Sequence, residues 1–147
     1  MNEAERVAEV RRWLRYAEED LLAAEAALEQ PSMVPRHACW LAQQSAEKAI
    51  KAVLIALQID FPRRHDLDAL RNLVPAGWQF KEDHPDLTTL TEWAVEARYP
   101  GEWPEAIDVD AELATQQARA LWISVCSDLA SHGFNDENLK TETDAPG

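Results

Sequence analysis

The spacing of apolar residues predicts a long amphipathic helix at the start of the chain. From residue 7 to residue 28, apolar side chains recur at alternating steps of three and four, which places them on one stripe of a helix. These residues are Val7, Val10, Leu14, Ala17, Leu21, Ala24 and Leu28. Asn2 and Glu5 are spaced as a capping box, and Pro31 ends the pattern, so the helix boundaries are also predicted.

A second long helix is predicted from Pro35 through Ile59. Proline is favoured in the first turn of a helix, and Pro62 prevents the helix from continuing further. Residues 52–57 are apolar on every side, which is typical of a helix segment that is covered all round. We therefore expect this helix to be the central one.

The second half of the chain predicts two more long helices and a short one. A short helix is expected over residues 66–74, and a long one from Pro85 to just before Pro100. The buried stripe of that long helix is Leu87, Leu90, Ala94 and Ala97. The last helix begins at Asp108 and ends before Gly133. Its stripe is Ala114, Ala118, Leu121, Val125 and Leu129. The pattern predicts an all-α fold, an antiparallel up-and-down four-helix bundle with one additional short helix.

Composition agrees with one globular domain. The chain has 147 residues, of which 46% are hydrophobic and 28% charged, and such a chain needs no disulfide or metal to form a core. We assign the helical bundle to residues 1–133. Residues 134–147 are polar and acidic, and we expect them to form a disordered tail.

The charge balance limits the classes of partner. A net charge of −13 repels phosphate backbones, so we do not expect the protein to coat nucleic acid in general. A local basic pocket is still compatible with this acidic surface. No window approaches the roughly 20 apolar residues of a membrane span, and no signal peptide is apparent. The expectation is a cytoplasmic protein without membrane association, in which Cys39 and Cys126 are buried, reduced thiols.

A basic loop is the first candidate for a ligand site. Arg63, Arg64 and His65 are followed by Asp66, where a short helix is predicted to begin. Three potential cations beside the backbone N–H groups of a helix start could bind an anion. The alternative is a solvated turn with a helix cap.

Arg98 and Tyr99 are the second candidate, with Trp103 close behind. An arginine beside aromatic rings could bind a phosphate and stack a base. The alternative is structural, since an arginine in the last turn of a helix interacts favourably with the helix dipole.

The third candidate is a polar band on the central helix. Its members are Gln43, Gln44, Glu47, Lys48 and Lys51. Glu47 and Lys51 are four residues apart and can form an ion pair on the helix surface. Such a band suits a polar subunit interface, a pocket or plain exposure to solvent.

The common catalytic and metal-binding motifs are absent from the sequence. There is no phosphate-binding glycine loop, no Gly-x-Ser-x-Gly element, and no histidine spacing typical of a metal site. We predict no catalytic residues, no metal and no cofactor.

Four segments in order resemble the HEPN domain family. These are Trp13 with Ala17, Asp20 and Leu21, then AQQSAEKAIKA at residues 42–52, HDL at 65–67, and ARYP at 97–100. The resemblance covers roughly residues 10 to 130. It implies a helical bundle that forms homodimers and is commonly encoded beside a minimal nucleotidyltransferase, with roles in nucleotide binding and toxin–antitoxin-like modules. The family's recurrent polar positions correspond here to Gln44, Glu47, Lys48, Lys51, His65, Asp66, Arg98 and Tyr99.

Some HEPN relatives are metal-independent RNases, and this chain departs from their motif. Those enzymes carry an arginine, then four to six intervening residues and then a histidine, and no such pair occurs here. Our leading hypothesis is therefore a nucleotide-binding or regulatory partner of a minimal nucleotidyltransferase. The alternatives are an RNase toxin in which Arg98 and His65 meet in a composite site across the dimer, and a dimeric scaffold that binds no ligand.

Overall fold

The computed structural model of the protein describes residues 1–94 and 100–134. These residues form six helices and no strand, so the all-helical class is confirmed for the described part of the chain. The helices are α1 (Glu3–Leu28), α2 (Pro35–Ala56), α3 (Leu67–Asn72), α4 (Gln79–Asp83), α5 (Thr88–Thr91) and α6 (Asp108–Ser131).

The first two helices pack against each other in antiparallel orientation. The predicted capping box begins α1, where the Glu5 N–H donates to the Asn2 side chain at 2.8 Å. Arg6 donates to the Ala56 carbonyl at 3.1 Å. The Ser45 hydroxyl donates to the Ala17 carbonyl at 2.7 Å near the middle of both helices. The start of α1 therefore lies against the end of α2.

Helix α2 is the central element, as predicted. Of its 22 residues, 14 are buried. It ends at Ala56, three residues before the predicted position, because Gln58 adopts a left-handed conformation with φ of 55°. The Ile59 N–H then donates back to the Leu54 carbonyl at 2.9 Å, a bond typical of a helix C-cap. A local cap rather than Pro62 ends this helix.

Helix α6 completes the core, and its predicted stripe is confirmed. All five stripe residues are buried: Ala114, Ala118, Leu121, Val125 and Leu129. Gly133 follows the helix with φ of 97°. Phe134, which the sequence assigned to the tail, is partly buried against the core, and the Arg6 guanidinium lies 5.5 Å from its ring centroid. The end of α6 therefore lies beside the start of α1, and residues 135–147 lie outside the described residues.

The long helix predicted from Pro85 is wrong over residues 85–94. Only Thr88–Thr91 are helical there. Threonine has low helix propensity, and side chains of this segment bond to α3 instead of supporting a helix. The Leu67 N–H donates to the Thr91 hydroxyl at 3.0 Å, and the Thr88 hydroxyl donates to Asp68 at 3.1 Å. The four-helix arrangement is not confirmed, since the described residues hold three long helices and three short ones.

The short helix α3 was predicted, whereas α4 was not. Asp66 caps α3 by accepting a hydrogen bond from the Ala69 N–H at 3.1 Å. Helix α4 is held by a distant residue, because the Phe80 N–H donates to the Asp128 carboxylate on α6 at 2.8 Å.

Candidate functional site

The polar band of α2 forms a hydrogen-bonded group around one buried carboxylate. Lys51 donates to Glu47 at 2.9 Å, one helical turn away, as the spacing predicts. Gln43 donates to the other carboxylate oxygen at 3.2 Å, and the Gln44 side chain donates to the side-chain oxygen Oε1 of Gln43 at 2.7 Å. Gln43, Glu47 and Lys51 are buried, which excludes plain exposure of these three side chains.

The loop before α3 brings a histidine to the same carboxylate. His65 Nδ1 lies 2.7 Å from Glu47 Oε1, and the His65 carbonyl accepts a hydrogen bond from Gln43 at 3.3 Å. The His65 side chain is 38% exposed, whereas that of Glu47 is only 8% exposed. The imidazole thus lies between the core and solvent. We call Gln43, Gln44, Glu47, Lys51 and His65 the Glu47 cluster.

The partners of Glu47 keep it ionised. Burial acts to raise the pKa of this carboxyl, but hydrogen bonds from Lys51 and His65 and the charge of Lys51 outweigh burial, so its pKa lies below the ordinary value. The ionised carboxylate therefore accepts a hydrogen bond from the Nδ1–H group of His65, which fixes the orientation of the imidazole ring.

Two aromatic rings enclose the buried ammonium group of Lys51. Its Nζ lies 5.8 Å from the Trp13 ring centroid and 5.4 Å from that of Phe61. The two rings contact each other edge to face, with centroids 6.3 Å apart. The ammonium therefore has cation–π contacts in addition to its carboxylate, which compensates its burial.

Helix α1 contributes residues that the sequence reasoning did not include in the site. Lys48 forms an ion pair with Asp20, and Trp13 covers Lys51. Trp13 and Asp20 are seven residues apart, two turns on one helix face, so their spacing was a usable signal. No such signal was available for Phe61, since its role depends on the path of the loop.

The basic loop divides into an inward and an outward part. His65 points to Glu47, whereas Arg63 and Arg64 are exposed, and their guanidinium groups have no hydrogen-bond or ion-pair partner among the described residues. At the start of α3 the N–H groups of Leu67 and Ala69 already donate to Thr91 and Asp66, so these two groups are not available to an anion, and the anion site of this loop stays a prediction. The exposed guanidinium groups of Arg63 and Arg64 are the cations that this loop offers to an anion.

Arg98 and Tyr99, the other predicted ligand residues, lie outside the described residues. Their position relative to the Glu47 cluster stays a prediction. Trp103, predicted to flank them, is 39% exposed.

The described ranges contain no group of three or more side chains suited to hold a metal ion. Within these same ranges, no helix has both the length and the apolar character needed to cross a bilayer.

These residues define an all-helical domain with a carboxylate–histidine–lysine cluster beside two exposed arginines. A known structure has a similar fold. The crystal structure of TT1696 from Thermus thermophilus superposes with a TM-score of 0.69 at 24% identity, covering 83% of this chain and 99% of that one. At this identity the similarity shows the fold alone. None of the curated proteins compared with the sequence matches it.

The sequence profile of the HEPN domain matches residues 10–127. The match spans most of the chain, and the protein therefore belongs to the HEPN domain family. The resemblance noted from the sequence motifs is confirmed.

Proposed function

We propose that this HEPN protein binds the phosphate groups of a nucleotide beside the Glu47 cluster. In this proposal it is a cytoplasmic homodimer that serves as the nucleotide-binding or regulatory partner of a minimal nucleotidyltransferase in a toxin–antitoxin-like module. The observation that carries the proposal is the 2.7 Å contact between His65 and Glu47, which holds the Arg63–Asp66 loop against the polar face of α2.

The charges around the cluster support an anion as the ligand. Lys48 and Lys51 are neutralised by Asp20 and Glu47, so they add little net charge. The guanidinium groups of Arg63 and Arg64 have no acidic partner among the described residues. Arginine presents paired N–H donors that match phosphate oxygens.

The remaining proposed ligand residues have distinct roles. The ring of His65, oriented by Glu47, and the amide of Gln44 supply polar contacts at the edge of the loop. Asp66 holds the loop through its cap on α3 rather than through the ligand. Arg98 and Tyr99 are proposed to add a second guanidinium contact and a ring that stacks on the base.

A nucleotide titration tests this placement. The chain has six tryptophans, and Trp13 belongs to the surroundings of Lys51, so intrinsic fluorescence should respond to added ATP. The double substitution Arg63→Ala, Arg64→Ala should weaken binding at least about tenfold, since each charge-assisted hydrogen bond contributes about 1.5–3 kcal/mol. Arg36→Ala removes an exposed arginine of α2 and is the matched control. Equal affinity in the double variant and the control would contradict this placement.

An RNase is the second candidate function, and one observation favours it. A carboxylate that orients an imidazole, as Glu47 does His65, is an arrangement suited to proton transfer. Arg98 would have to approach this histidine across the dimer. Cleavage of a mixed RNA in EDTA that disappears in both Arg98→Ala and His65→Ala would establish the RNase, and no cleavage by the unmodified protein would exclude it.

A gentle pull-down of the tagged protein from its native cytoplasm tests the proposed partner. Stoichiometric recovery of a small nucleotidyltransferase supports the two-component module. Recovery of the protein alone, without nucleotide or RNA, favours the dimeric scaffold.

A further inference from the structure

The solvent-facing side of α6 carries an apolar seam along the helix. Val109, Leu113 and Ile123 are 48%, 59% and 55% exposed. They belong to a set of exposed positions that recur at alternating steps of four and three residues. This set, the outer seam, consists of Val109, Leu113, Gln116, Ala120, Ile123, Ser127 and Ala130. A spacing of 3.5 residues is the pattern by which one helix packs lengthwise on another.

Packing among residues 1–94 and 100–134 does not account for this seam. The buried stripe of α6 includes Ala111, Ala118 and Val125, which lie on the opposite side of the helix. In a chain with 28% charged residues, the seam contains none. A second, uncharged stripe opposite the core indicates that the seam has a helical partner that is not part of the described chain.

We propose that the outer seam of α6 packs against the same seam of a second copy in antiparallel orientation, with Ala120 at the two-fold axis. The sizes of the seam residues support this register. The large residues Val109 and Leu113 lie in the first half of the helix, whereas the second half carries small ones at positions 120, 127 and 130 and a single large one, Ile123. With Ala120 opposite itself, Leu113 lies opposite the partner's Ser127, so large side chains meet small ones.

The charges of α6 favour the same orientation. The acidic residues Asp108, Asp110 and Glu112 are confined to its first turns, and the second half has only the buried Asp128. A parallel pair would bring two acidic ends together, whereas an antiparallel pair separates them and also opposes the helix dipoles.

The space beside the seam adds to the contact. An open groove of about 550 Å³ lies between α4 and α6 and is lined by residues that include Asp83, His84, Ile123 and Ser127. A helix of 24 residues is about 36 Å long and about 10 Å wide, so its face offers roughly 400 Å², about half of a standard interface per partner. The groove gives the partner's Leu113 a place to insert, which widens the contact and distinguishes it from a flat helix pair.

The inference rests on the homodimer of the proposed function and names its contact surface. Sedimentation velocity of the full chain across micromolar concentrations should show a dimer. Leu113→Glu together with Ile123→Glu should give a monomer at concentrations where the unmodified chain and Leu22→Glu remain dimeric. Leu22 is an equally exposed leucine of α1, at 52% exposure, and circular dichroism checks that each variant is folded.

The outcomes of this experiment distinguish an error in the proposed contact surface from the absence of a homodimer. A dimer that persists in the folded double variant overturns the proposed surface and leaves the homodimer in place. An unmodified chain that stays monomeric at every concentration overturns both.

Disulfide trapping tests the orientation. Ala120→Cys should cross-link to its own copy under mild oxidation, because both cysteines lie at the axis. Leu113→Cys alone should not, since two such positions are about 21 Å apart along the helices, beyond the roughly 7 Å limit between Cα atoms. The unmodified chain controls for Cys39 and Cys126. Cross-linking of Leu113→Cys as efficient as that of Ala120→Cys would overturn the antiparallel arrangement.

Discussion

Replacing Glu47 with glutamine tests whether this carboxylate holds the site together. The substitution keeps the size of the side chain but removes the charge that Lys51 and His65 both contact, at 2.9 and 2.7 Å. The Lys51 and Glu47 side chains are only 10% and 8% exposed, so solvent cannot easily replace the lost interaction. Lys51 retains the rings of Trp13 and Phe61, which limit the loss.

The magnitude follows from the two lost charge-assisted contacts. Each contributes about 1.5–3 kcal/mol, and a neutral amide restores about 1 kcal/mol of each. The expected loss of unfolding free energy is about 1–4 kcal/mol, which reaches the roughly 3–5 kcal/mol found when one partner of a buried pair is removed. For a chain of this size, a loss of about 3 kcal/mol lowers the Tm by about 6–12 °C.

Urea unfolding followed by tryptophan fluorescence measures this loss. Lys51→Met in the Glu47→Gln background removes the unpaired ammonium. The double variant should therefore lose less unfolding free energy than the two single variants lose together, by about 1–3 kcal/mol. Glu9→Gln disrupts the exposed pair with Arg12 and should cost less than about 0.5 kcal/mol. If Glu47→Gln costs no more than Glu9→Gln, the reasoning about the buried carboxylate is refuted.

The difference in unfolding free energy between the parent and Glu47→Gln should decrease at acidic pH. Because the pKa of Glu47 is lowered in the folded protein, its contribution is present above the unfolded value of about 4.3 and is lost as the pH falls through the folded pKa. The stability gap between the parent and Glu47→Gln should therefore be constant near neutrality and shrink below about pH 4.

Three further predictions concern the helices that surround the site. Asp128→Ala leaves the buried N–H of Phe80 without an acceptor and should cost about 1–3 kcal/mol in urea unfolding, whereas Asp128→Asn, which retains an oxygen, should cost less. Burial lowers the pKa of His84 against the opposing charge of Asp83, so the unfolded state binds a proton more readily and stability should fall as the pH drops below about 6.5. His84→Gln should reduce that slope between about pH 7.5 and 5.5, and an unchanged slope contradicts the assignment. Leu54→Ala in the fully buried part of α2 should cost about 2–5 kcal/mol by calorimetry, and a cost under about 1 kcal/mol would argue against its central position.

Local patterns in the sequence were sufficient for the three long helices and for the family. The capping box at Asn2, the stripe of α6 and the Glu47–Lys51 pair all depend on residues within a few positions of one another, and helix periodicity makes such neighbours readable. The motifs at residues 42–52 and 65–67 likewise indicate the HEPN family by their residues and order alone.

Only the tertiary structure decided which polar residues form one site. The contact between His65 and Glu47 spans 18 positions, and the aromatic cover of Lys51 comes from α1 and from the loop after α2. The segment after Pro85 forms a short helix instead of the predicted long one, because its threonine side chains form hydrogen bonds with Asp68 and Leu67. Sequence periodicity reports the face that a helix buries, whereas the partner of each buried polar group is chosen by packing between distant segments.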